Sequence, residues 1–157
     1  MTIIQSPAQG RPRVTVAALV HREGRFLLVE ERDDQGRLVI NQPAGHVEAG
    51  ESVLDAVVRE ALEETGWTVR PEFMVGVYLW GRPDKSLSYL RIAIAATALT
   101  YDAIAPLDEG IERPVWLSRE ELMACRDSHR SELVMRCVDD CLAGERYPLE
   151  LLKTLLA

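Results

Sequence analysis

Residues Gly45 to Trp67 run G-H-V-E-A-G-E-S-V-L-D-A-V-V-R-E-A-L-E-E-T-G-W, and the carboxylate spacing limits what this segment can be. Glu60, Glu63 and Glu64 stand at i, i+3 and i+4, just before Gly66. At 100° per residue they share with Arg59 an arc of roughly 140° of a helix. Leu54, Val57, Val58, Ala61 and Leu62 fill the opposite arc, the stripe expected on a core. Ser52, with Asp55 three residues on, is the expected N-terminal cap, and Gly66 the stop. The acidic face is unfavourable on its own. Like charges repel by roughly 0.2–0.5 kcal/mol per pair, and the helix dipole disfavours each by roughly 0.3–1 kcal/mol. A hard divalent cation reverses that cost, because Mg²⁺ takes carboxylate oxygens, keeps several waters and bridges to phosphates.

The segment resembles the signature box of the Nudix hydrolases, G-x5-E-x7-R-E-U-x-E-E-x-G-U, where U is bulky and apolar. The fixed positions are Gly45, Glu51, Arg59, Glu60, Glu63, Glu64 and Gly66. The U positions hold Trp67 and Ala61, the latter smaller than usual. Seven fixed residues coincide by chance on the order of once per 10⁸ start positions, so a merely solvated acidic face is set aside.

The resemblance implies an α+β domain with the Nudix fold, an α/β/α sandwich with a mixed sheet. It implies hydrolysis of a diphosphate bond in a nucleoside diphosphate linked to another moiety, with Mg²⁺ or Mn²⁺ as cofactor. Glu60 and Glu64 would hold one ion, Glu63 would reach a second ion or act through water, and the Ala44 carbonyl would be a further ligand. Gly45 permits close backbone approach. Glu51 and Arg59 form a structural pair, with Arg59 pinning the loop by a two-pronged hydrogen bond. A general base is expected from the loop Asp108 to Glu112, with Glu112 the first choice and Glu109 the second, Glu60 and Glu64 remaining as alternatives.

Matches continue outside the box. Val14-Thr15-Val16-Ala17, Asn41-Gln42-Pro43-Ala44-Gly45-His46, Leu90-Arg91 and Arg146-Tyr147-Pro148-Leu149-Glu150 are similar to the NudJ-type phosphatases, a bacterial Nudix subgroup. That subgroup implies action on nucleoside tri- and diphosphates and on hydroxymethylpyrimidine diphosphate. Rival readings are another Nudix substrate class (an oxidised nucleotide, a dinucleoside polyphosphate or an RNA 5′ end) and a Nudix-fold ligand sensor without turnover.

The rest of the chain reads as short strands and a few helices. Val14 to Val20 is an apolar run that turns at His21 to Gly24 into Arg25 to Glu31, and Leu38 to Ile40 follows. Phe73 to Trp80 and Leu87 to Leu99 form a longer hairpin, and Pro114 to Leu117 a last strand. Ser118 with Glu121 is a capping box for a helix to about Cys125, and Ser131 to Leu142 is an amphipathic helix stopped by Gly144. The 157 residues divide into a loose polar lead, 1–12, and one domain, 13–157.

A net charge of −7 argues against broad nucleic-acid binding and leaves a small phosphorylated molecule as the expected partner. No apolar run spans a membrane and no signal peptide is read, so a cytoplasmic location is expected. Cys125, Cys137 and Cys141 lack the spacing of a disulfide framework. Four side chains are expected at the substrate. Tyr78 and Trp80 share one strand face and either stack an organic ring or pack in the core. Arg91, in an apolar strand, either reaches a phosphate or meets a carboxylate. Asn41 either bonds a base edge or caps the sheet end. Oligomeric state is left open.

Overall fold

The computed structural model describes residues 10–156, so most of the expected polar lead lies outside the described residues. Strand β1 (Arg13–Arg22) is buried from Val16 to Val20 without alternation, the mark of a strand covered on both faces. Glu23 and Gly24, both at positive φ, turn the chain into β2 (Arg25–Arg32). Strand β2 then pairs antiparallel with β3 (Leu38–Asn41) and with β7 (Ile111–Ser118). On its other side β1 pairs antiparallel with β4 (Ala44–His46) and parallel with β6 (Ser88–Tyr101), which carries β5 (Trp67–Gly81) antiparallel. The result is a mixed sheet in the order β3-β2-β1-β6-β5, with β4 added on β1 and β7 on β2.

Helices cover both faces. Helix α1 (Val53–Thr65) packs Ala56, Val57 and Ala61 onto Val16, Ala18 and Val20 of β1 and Ile92 and Ile94 of β6. The alternate residues, Leu19, Ala93 and Ala95, meet Leu122 of α2 (Arg119–Ala124) and Val134, Cys137 and Val138 of α3 (Leu133–Leu142). This two-residue alternation between two apolar layers is the α/β/α sandwich.

The helix ends follow the sequence. The Ser52 hydroxyl accepts from the Asp55 N–H, and Gly66, at φ 76°, closes α1 through its N–H to the Leu62 carbonyl. Ser118 and Glu121 form both bonds of a capping box on α2.

Three expectations need correction. Leu62, expected on the core stripe of α1, is 40% exposed, whereas Glu60 and Glu64 are only 8% and 6% exposed. The helix is rotated so that part of its acidic face turns inward onto β4. Strand β5 begins at Trp67 instead of Phe73, because β6 runs to Tyr101 and pairs through Arg70 and Pro71 across bulges. Strand β7 likewise begins at Ile111 instead of Pro114.

Candidate active site

Strand β4 lies at the sheet margin, and alternation decides what its backbone does. The Val47 N–H donates to Val14 and the Ala18 N–H to Pro43, so Gly45 faces β1 while Ala44 and His46 turn their peptide groups outward. Helix α1 binds that outward edge. The Ala44 N–H donates to Glu64 Oε1 at 2.7 Å, and Arg59 Nη2 donates to the His46 carbonyl at 3.0 Å.

Arg59 organises the segment. Its Nε and Nη2 donate to the two Glu51 oxygens at 3.0 and 2.7 Å, a fork-on-carboxylate pair. Its Nη1 donates to Glu60 at 2.8 Å and Glu63 at 3.1 Å. The hydrogen bond to Glu51 raises the guanidinium's proton affinity further, and the same bond holds the Glu51 carboxyl below its usual range.

Gly45 touches Glu60 so closely that a Cβ at this position would overlap the carboxylate. The lack of a side chain here is a packing requirement, and Gly45 is not among the residues at positive φ.

Three acids converge. Glu60, Glu63 and Asp108 each offer a carboxylate oxygen, all within 4.8 Å of one another. Asp108 is fixed there by its backbone N–H, which donates to the Glu63 carbonyl at the end of α1. Burial raises the Glu60 carboxyl above its ordinary range, against the pull of Arg59 and with the push of Glu63 and Asp108. Asp108 is raised by burial and then by Glu63. Repelling, partly desolvated oxygens of this kind match the donor set of a hard divalent cation.

Glu64, expected to share an ion with Glu60, stands beside that trio. It is held by the Ala44 N–H, and burial pushes its carboxyl up to about 9, with Glu31 and Glu60 adding to the rise.

Of the acids expected as general base, Glu60 lies in this cluster, whereas Glu112 and Glu109 do not. Glu112 is an exposed residue near the start of β7, and Arg32 Nε donates to it at 2.8 Å. Glu109 lies in the exposed turn before β7. Asp108, though exposed, is the acid of that loop which the fold brings beside Glu60 and Glu63. Its sequence signal was membership of the loop alone.

Beyond Ala44 and Gly45 opens a cavity of about 520 Å³ that both residues line. Strand register gives its floor: His46 opposite Thr15, Thr15 opposite Arg91, and Tyr89 opposite Trp80, all on one sheet face. Trp80, Arg91 and Asn41 line this cavity. Trp80 stacks on Tyr89 with centroids 6.0 Å apart, and its Nε1 donates to Glu132. Tyr78 shares the face but not the cavity, because its hydroxyl donates to Asp140 of α3 at 2.8 Å. Among the described residues Arg91 meets no carboxylate. It is 7% exposed, and its Nη1 and Nη2 donate to the side-chain oxygens of Gln42 and Asn41 at 3.1 and 3.2 Å. Glu31, unremarked in the sequence beyond its place in a strand, also lines the cavity, where it accepts from Asn41 and Arg130.

Comparison with known proteins places this geometry. The NUDIX domain family model matches residues 11–137. Phosphatase NudJ of Escherichia coli (strain K12) is 39% identical over 142 residues, covering 90% of this chain and 91% of that protein. A NUDIX hydrolase from Nitrosomonas europaea superposes with a TM-score of 0.90 at 42% identity, covering 92% of this chain and 98% of that one. A MutT NUDIX hydrolase from Burkholderia pseudomallei shares the fold, at 21% identity and a TM-score of 0.65, over 83% of this chain and 98% of that one.

Proposed function

Because this chain belongs to the Nudix hydrolase family, whose members cleave pyrophosphate bonds, we propose that it is a Mg²⁺-dependent hydrolase of phosphoanhydride bonds in nucleoside tri- and diphosphates and in related pyrophosphates such as hydroxymethylpyrimidine diphosphate. Mn²⁺ substitutes for Mg²⁺ in this reading. The observation that carries it is the convergence of Glu60, Glu63 and Asp108 behind the Ala44–Gly45 wall of a cavity large enough for a small phosphorylated molecule.

Each residue then has a task. Glu60, Glu63 and Asp108 hold the cation, and the outward-turned Ala44 carbonyl adds a neutral oxygen. A bound divalent cation supplies charge neutralisation at the phosphates and a lowered pKa for water. Arg59 holds Glu60 and Glu63 at fixed positions and keeps Glu51 and the His46 carbonyl together, so the loop does not drift. Glu64 is the proton acceptor. In its ionised form, its high proton affinity would suit it to take a proton from attacking water. Trp80, Arg91 and Asn41 face the organic half of the substrate, while Tyr78 braces β5 against α3.

The reading is tested with a panel of nucleotides and pyrophosphates, with released phosphate and pyrophosphate measured separately. Turnover should stop with chelator and return with Mg²⁺. Unchanged turnover in excess chelator would remove the metal assignment. Activity confined to dinucleoside polyphosphates or capped RNA would replace the substrate class.

A further inference from the structure

The cavity floor carries an ionic imbalance that the proposed chemistry does not use. Arg91 is more than nine-tenths buried, yet among the described residues no carboxylate lies within ion-pair reach of it. Its hydrogen-bond acceptors are amides, and the buried Cys137 thiol of α3 lies beside it. The Gln42 side chain is fixed by its own NH₂, which donates to the Val134 carbonyl at 2.8 Å, so its oxygen faces Arg91. Asn41 is fixed by its NH₂ donating to Glu31, so its oxygen also faces Arg91. Glu31 itself, the acid nearest along this chain of bonds, is taken by Arg130 at 3.1 Å.

A guanidinium has five N–H donors, and two are used here. Among the described residues, Nε is buried with no hydrogen-bond partner. Two amide dipoles solvate the charge without neutralising it, and burying a cation in that state is costly. A neutral ring closing over it would strip the remaining water and leave the imbalance in place. An oxyanion would remove the imbalance through charge-assisted bonds to the unused Nη hydrogens.

Position separates this point from the reacting phosphates. Arg91 is on β6, Thr15 opposite it is on β1, and His46 opposite Thr15 is on β4. Two inter-strand steps put Arg91 roughly 10 Å from the box strand. The acid cluster lies on the other side of that strand, with Glu60 against Gly45.

Resting on the Nudix reading of the acid cluster, we propose that Arg91 determines specificity by binding an oxyanion carried on the organic half of the substrate. Among pyrophosphates, one whose organic half bears its own phosphate or carboxylate is then preferred over nucleoside di- and triphosphates and hydroxymethylpyrimidine diphosphate, whose organic half is uncharged. The stacked pair Trp80 and Tyr89 walls the space beside this group.

The direct test needs no turnover. Inorganic phosphate is titrated calorimetrically into the metal-free protein in excess chelator, where the acid cluster repels anions. Wild type should bind saturably, and Arg91→Gln should bind about tenfold more weakly or worse. Absence of saturable binding in wild type, or equal binding in Arg91→Gln, overturns the proposal. Should that variant fail to fold, the ¹⁵Nε resonance of Arg91 in wild type must shift during the same titration, and a stationary resonance overturns it equally. In a second arm, two diphosphates differing only by a phosphate on the organic half are compared. The anionic one should show a KM about tenfold lower, a ratio that collapses toward one in Arg91→Gln, and equal KM values in wild type count against the proposal. Phosphate binding in chelator without any Mg²⁺-dependent turnover would leave this subsite standing and remove the hydrolase reading. Mg²⁺-dependent turnover without phosphate binding would do the reverse.

Discussion

Gly45 lies against the Glu60 carboxylate with no room for a methyl group between them. One carboxylate therefore both packs on a strand and faces the acid cluster. Gly45→Ala must displace Glu60 or bend β4. The expected cost is about 1–3 kcal/mol of stability, as in other overpacked sites, together with a weaker metal response. Chemical unfolding and Mg²⁺ titration of turnover measure both. A variant with wild-type values in each would show that Glu60 has free space elsewhere.

Arg59→Lys keeps a positive charge but loses the fork on Glu51 and the reach to the His46 carbonyl. Stability should fall by about 2 kcal/mol, and the Mg²⁺ concentration for half-maximal turnover should rise. Loss of turnover with stability and metal response intact would instead make Arg59 a phosphate ligand.

Asp108→Asn and Glu112→Gln form a matched pair. The first removes an oxygen of the acid cluster and should raise the Mg²⁺ requirement by tenfold or more. The second breaks an exposed ion pair with Arg32, worth roughly 0–1 kcal/mol, and should leave kcat within about twofold. If Glu112→Gln lost the roughly 10²–10⁴-fold expected of a general base, the loop would have to rearrange on binding substrate.

Glu64 makes metal-free stability depend on pH. Its folded carboxyl titrates at about 9, well above its ordinary 4.5, so between these values the folded chain holds a proton that the unfolded chain has released. Stability contributed by that proton is present at low pH and lost as pH rises, by up to about 1.4 kcal/mol per pH unit. Melting of the chelated protein from pH 5 to 9 should show this fall, and Glu64→Gln should flatten it. A stability that rises across this window in wild type would contradict the burial of Glu64.

The box was legible because its spacing is local. Ser52 and Gly66 bound α1 where the sequence put them, since a cap and a left-handed glycine act within one turn. What spacing could not give was rotation. The helical wheel put Leu62 inward and the acids outward, but β4 offers an unpaired backbone edge, and Glu64 turns in to meet the Ala44 N–H. The choice among the loop acids was equally non-local. Only a backbone bond from Asp108 to the end of α1 decides that Asp108, and neither Glu109 nor Glu112, faces the cluster. Arg91 looked anomalous in its strand, but its amide neighbours come from a segment 49 and 50 residues away in sequence.

The parallel pairing of β1 with β6 also sets the order of assembly. Val14 joins Leu90 only after the chain between them, box helix included, has been closed into a loop. Such distant contacts are slow to form, because loop entropy is lost before they contribute. Asp108 follows later still, so a chain emerging from the ribosome carries the box helix well before it carries the acid cluster. Metal cannot template the early steps of folding through that cluster, and the nascent box helix has to rely on its caps and its apolar stripe.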